Sequence, residues 1–113
     1  MNTVTLQVCS REEWNQRILQ AFEGEPQLPT LTFESPALLF KILSGKRWDL
    51  LQIMTSAGPM TIREAARRVG RDVKAVHSDI QGLLKAGILD KTEDGKVEFR
   101  FDALHVDFTL RAA

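Results

Sequence analysis

The sequence predicts a small α+β domain, and three observations lead to that expectation. Apolar residues alternate with period two near both ends, at Val4, Leu6 and Val8 and again at Leu104, Val106, Phe108 and Leu110, which marks strands. Between them, helical patterns begin at Ser44, Thr61 and Asp72, each supplying a side-chain oxygen that can accept an unpaired amide proton of a first turn. An Asp94-Gly95 pair then separates two short apolar runs, the pattern of a tight hairpin.

The chain has 113 residues, which suits one domain with one modest core, and its 43% apolar and 27% charged residues are ordinary for a globular protein. No run of about 18 apolar residues exists, and no charged start leads into an apolar stretch, so a cytoplasmic protein is expected. Cys9 is the only cysteine, which excludes an intramolecular disulfide and any zinc site built from cysteine pairs.

Taken in order, Thr3 to Val8 reads as a strand, and Ser10-Arg11-Glu12-Glu13 reads as a capping box opening a helix. Trp14, Ile18, Ala21 and Phe22 give that helix its apolar stripe, and Gly24 ends it. After a proline-containing connection, Leu31-Thr32-Phe33 is a short strand. Ser35-Pro36 starts a further helix, proline being tolerated where the amide proton would be unpaired. Its apolar run Leu38, Leu39, Phe40, Ile42 and Leu43 is expected to be mostly buried.

The helix capped by Ser44 is expected to run to about Ala57, with Leu50, Ile53, Met54 and Ala57 inward and Gly58-Pro59 as its stop. Thr61-Ile62-Arg63-Glu64 is a second capping box, opening a short helix that Gly70 ends. Asp72 caps a third helix with Val73, Val76, Ile80, Leu83 and Leu84 inward and Gly87 at its end. Runs Ile88–Thr92 and Val97–Phe101 are the hairpin strands. Trp14 and Trp48 are expected in the core or an interface.

Two helices joined by a short glycine-containing turn and followed by a hairpin make a winged helix-turn-helix. Three segments follow: a strand-helix extension over residues 1–43, which packs on the core and offers a dimer or partner surface; the winged helix-turn-helix over 44–102; and a C-terminal strand over 103–113 for dimerisation. The terminal strands have no evident cover within the middle segment. In so small a domain, a second subunit is expected to supply it.

The chain carries no net charge, which argues mildly against nucleic acid as a partner, but its distribution argues for it. Residues 41–91 hold ten basic and five acidic side chains, against two and five before them and three and five after them. A basic middle segment can face phosphates while the molecule stays neutral. With the third helix's apolar positions inward, Lys74, Ala75, His77, Ser78, Gln81 and Lys85 lie outward, and most can hydrogen-bond to base edges. Thr61, Arg63, Arg67, Arg68 and Arg71 are placed for phosphates, and Lys96 on the hairpin reaches the same surface. The expected base contacts centre on Lys74, His77 and Ser78, near the helix start. Asp79 would repel phosphate and is expected to turn toward a basic neighbour. Gly82 inside a helix is expected to mark close packing.

An enzyme is not expected. His77 and His105 lie on separate elements without cysteines or paired carboxylates at ligand spacing, and no phosphate loop or nucleophile elbow occurs. Neither metal nor cofactor is implied.

The run from Lys46-Arg47-Trp48-Asp49 through Thr61–Asp79, Leu83–Leu89 and His105–Ala113 resembles a family of small prokaryotic predicted transcriptional regulators with a MarR-like winged helix. That resemblance implies DNA binding through Arg71, Lys74, His77 and Ser78, the last standing where an arginine is often expected. It also implies, for some members, an antitoxin role: repression of their own operon and binding of a toxin encoded nearby. The neutral charge and acidic, apolar-faced terminal strands also fit a protein-interaction module that does not grip DNA.

Overall fold

The computed structural model describes residues 2–8 and 29–109. The helix expected from Ser10 to Gly24, Trp14 within it, Cys9 and Leu110 lie outside the described residues. What is described is a small α+β fold.

Strand β1 (Thr3–Val8) is the centre of a three-stranded sheet, flanked by β2 (Thr30–Phe33) and β5 (Ala103–Asp107). Both pairings are parallel, with Leu6 beside Leu31 on one side and beside Val106 on the other. Parallel neighbours need long crossovers. Everything between β2 and β5 therefore forms the excursion from one side of β1 to the other.

This topology supplies, within one chain, the cover that β1 was expected to lack, while the outer edge of β5 carries no strand among the described residues. Val4 and Leu6 are 2% and 0% exposed within the single chain, because β1 lies between two strands and its apolar face is covered by the helical core. Strand β5 is shorter than the alternation through Leu110 suggested, ending at Asp107, with Leu104 and Val106 half-buried against the same core.

Helix α1 (Pro36–Ile42) begins as expected, Ser35 accepting a hydrogen bond from the Leu38 amide at 3.2 Å. Its run of five apolar residues is not mostly buried, however. A helix of seven residues turns only one side inward, so Leu39 is fully covered while Leu38 and Phe40 are exposed. Phe40 instead meets Phe108 edge to face, with ring centroids 5.2 Å apart.

Helix α2 (Gly45–Met54) stops three residues before Ala57. Thr55 is already extended, its hydroxyl donating to the Leu51 carbonyl at 2.7 Å, and Ser56 turns left-handed at φ 57°. The inward face is therefore Leu50, Leu51 and Met54, with Ile53 half-buried and Ala57 exposed.

Helices α3 (Ile62–Val69) and α4 (Val73–Lys85) are joined by Gly70-Arg71-Asp72. Gly70 adopts φ 72°, a left-handed conformation that glycine enters without strain, and the amides of Gly70 and Arg71 both donate to the Ala66 carbonyl. Ala65 and Ala66 are fully buried where α3 meets its neighbours, small side chains permitting the close approach. Val76, Ile80 and Leu83 line the inward face of α4, but Val73 is 42% exposed: at the first turn it precedes the point where the helix meets the core. The helix ends in a Schellman turn. Ile88 N donates to Leu83 O and Gly87 N to Leu84 O, burying Ile88 against the helix end.

The hairpin strands are β3 (Asp90–Lys91) and β4 (Val97–Glu98), each shorter than the five residues expected. Ile88 and Leu89 are taken up by the helix-ending turn, and Phe99 leaves the ladder to enter the core, its ring 5.7 Å from that of Phe101. Met60, just ahead of α3, bridges Val97 through two hydrogen bonds of 2.9 Å and ties the hairpin to the helix pair.

Candidate functional site

Helix α4 buries one side and displays the other. Asp72 caps it, its carboxylate accepting from the Lys74 amide at 3.1 Å. Lys74, Ala75, His77, Ser78 and Lys85 are exposed and Gln81 is half-buried. Lys74, Ser78, Gln81 and Lys85 follow one another at intervals of four, three and four, so they form a single stripe along the helix, with His77 beside it. Among the described residues none of these side chains is engaged in a hydrogen bond or ion pair. Their donors are available to a ligand.

Asp79 breaks this basic face only in sequence. Its carboxylate turns sideways, as expected, and is held by Arg71 Nη2 at 2.8 Å and by Arg47 Nε at 3.2 Å. Burial alone would raise its pKa, but the hydrogen bonds from Arg71 and then Arg47 outweigh that and hold it below the usual aspartate range. Arg47 also donates from Nη1 to the Ile42 carbonyl at 2.9 Å, so one guanidinium links the end of α1, the start of α2 and the middle of α4.

This arrangement gives Arg71 a role that was not expected of it. Its side chain is 21% exposed and paired with Asp79, with Nη1 buried and without a hydrogen-bond partner, so it is a structural member of the turn. The guanidinium is drawn inward because the carboxylate one helical turn beyond Ala75 faces the same turn.

The α3 arginines are arranged differently. Thr61 is the cap, its hydroxyl accepting from the Glu64 amide at 3.1 Å, as the capping box requires. Glu64 then turns along the helix to accept from Arg67 at 3.0 and 2.5 Å and from Arg68 at 2.7 Å. Those hydrogen bonds, from Arg67 first and then Arg68, lower the Glu64 pKa to about 2 and raise that of Arg67. Two exposed guanidiniums around one carboxylate leave a single net positive charge there. Arg63 is exposed and carries no such partner among the described residues.

On the hairpin, Lys96 lies 3.7 Å from Asp94, and Arg100 pairs with Asp90 at 2.9 Å. Thr92 donates its hydroxyl to Asp94, which lowers the Asp94 pKa. The Lys96 amide in turn donates to the Thr92 hydroxyl at 3.0 Å. With Glu93 beside Asp94, the hairpin tip is acidic rather than basic, and Lys96 adds little positive field.

The structure thus brings Lys74, Ala75, His77, Ser78, Gln81 and Lys85 together on one helix, places Arg63, Arg67 and Arg68 on the helix before it with Thr61 as its cap, and pairs Arg71 with Asp79 in the turn between them. Sequence reasoning did not assign Arg47 a role. The available signal was Gly82: a glycine in the middle of an amphipathic helix leaves a notch, and Arg47 fills it. Trp48, expected in the core or an interface, is outside the core: it is 39% exposed beside Leu51, Gln52, Thr55, Phe99 and Leu104, with which it lines a shallow apolar depression.

No group of three or more histidine, cysteine, aspartate or glutamate side chains suited to a metal occurs among the described residues. No helix among them is long and apolar enough to cross a membrane. Neither a curated protein nor a solved structure matches the chain. One family model does match, over residues 42–106, from the last residue of α1 to Val106, the fourth of the five residues of β5. Since that span covers more than half of the chain and holds α2, α3, α4 and the hairpin entire, the protein belongs to the HVO_A0114 family.

Proposed function

We propose that this chain is a sequence-specific DNA-binding transcriptional regulator, with α2, α3, α4 and the β3–β4 hairpin acting as a winged helix-turn-helix. The observation that carries the reading is the stripe Lys74, Ser78, Gln81 and Lys85 on α4, outward, rich in donors and free of partners among the described residues. In this reading α4 enters the major groove, Lys74, His77 and Ser78 meet base edges, and Arg63, Arg67 and Arg68 set register on phosphates. The working form is a homodimeric repressor on a palindromic site, its half-sites about 34 Å apart or a multiple of that. The test is binding to the DNA upstream of its own gene across a salt series. Affinity that falls steeply with salt and prefers one sequence supports the reading, and a flat response without preference refutes it.

A second reading is favoured by the exposed Phe40–Phe108 pair and by the hairpin tip, which is not basic: a surface for a protein partner, as a toxin would be for an antitoxin. A stable complex that survives Lys74→Ala supports it. The two readings use different side chains and are compatible.

A further inference from the structure

We infer that β5 pairs edge to edge with β5 of a second copy of this chain, antiparallel about a twofold axis at Val106. Among the described residues β5 pairs with β1 on one side and with no strand on the other, leaving a row of backbone donors and acceptors open to another strand. A twofold axis makes such a contact self-complementary, because each residue meets the same patch on its partner.

The side chains select the register. An axis at His105 would set imidazole against imidazole, and an axis at Asp107 would set two carboxylates together, which disfavours both. The axis at Val106 sets His105 opposite Asp107 of the other copy and Asp107 opposite His105, two pairs of an imidazole donor with a carboxylate acceptor on the exposed face. On the other face it sets Leu104 opposite Phe108 and Val106 opposite Val106. These three apolar residues are only partly covered within one chain, Phe108 being 37% exposed. The same register extends pairing past Asp107 to Phe108 and Thr109, where the alternation of the sequence continues but the strand within one chain has stopped. The result is a six-stranded sheet of order β2-β1-β5-β5-β1-β2.

The inference rests on the homodimer of the reading above and not on DNA binding, so it is tested without DNA. Sedimentation velocity of the full chain is run on the wild type, His105→Asp, Asp107→His and the double exchange H105D/D107H. The wild type is expected to dimerise, each single variant to weaken the dimer about tenfold by setting like groups against each other, and the exchange to recover to within about threefold. Both positions are exposed, and far-UV circular dichroism checks that each variant folds. A monomeric wild type, single variants that dimerise as well as the wild type, or an exchange as weak as the singles overturns the inference. DNA binding measured separately would stand or fall on its own.

Discussion

Arg47 lies in a notch that Gly82 leaves open: a Cβ at Gly82 would fall between 2.5 and 2.8 Å from atoms of the Arg47 guanidinium. Within an unconstrained helix, alanine is favoured over glycine by about 1 kcal/mol. Here the collision displaces a group that holds both Asp79 and the Ile42 carbonyl. Gly82→Ala is expected to lower stability by about 1–3 kcal/mol in urea unfolding. In an Arg47→Ala background the same change is expected to be stabilising. A gain in both backgrounds would mean that Arg47 does not occupy the notch.

Asp79 bridges two guanidiniums, those of Arg47 and Arg71, all three side chains being about four-fifths covered. Asp79→Ala is expected to cost about 2 kcal/mol, below the range for fully buried pairs because some solvent remains. The pH dependence follows from the lowered pKa. A carboxylate held below its unfolded value contributes stability that is complete above the unfolded pKa, about 4, and is lost as pH falls through the folded value. The wild type is therefore expected to lose stability below pH 4 more steeply than Asp79→Ala, and parallel acid-unfolding curves would contradict this.

Glu64 restrains Arg67 and Arg68 at the surface. Its carboxyl is expected to titrate near pH 2 by NMR. If α3 meets phosphates, Glu64→Gln removes a negative charge and frees both arginines. DNA affinity at low salt should rise, and the dependence on salt should steepen by about one counterion. Unchanged or weaker binding would exclude α3 from the contact.

Lys74 and Arg71 are close in sequence but are expected to separate in experiment. Lys74 is exposed and unpaired among the described residues, so Lys74→Ala should leave Tm unchanged while reducing the salt dependence of DNA binding by about one counterion. Arg71→Ala breaks the link to Asp79 and should lower Tm by several degrees. Equal Tm values for the two variants would show that Arg71 is not structural.

Much of this molecule could be read from short-range chemistry alone. The caps at Ser35, Ser44, Thr61 and Asp72, the glycine stops at Gly70 and Gly87, and the turn at Gly95 depend on a few neighbouring residues, and each lies where its residue type demands. The outward position of Lys74, His77 and Ser78 follows in the same way from helical periodicity. Ends set by tertiary packing were read less well: α2 stops early at Thr55, Val73 stays exposed, and the hairpin strands shorten as Leu89 and Phe99 turn into the core.

The sequence by itself determined the α+β class, the order of the described elements, their caps and the polar face of α4, because these depend on spacing along the chain. Only the tertiary structure decided that β1 lies between β2 and β5, that Arg71 turns inward to Asp79, and that Arg47 fills the notch at Gly82. The reason is physical: strand order and ion-pair choice depend on groups that are distant in sequence, and local preferences carry no information about which of them will meet.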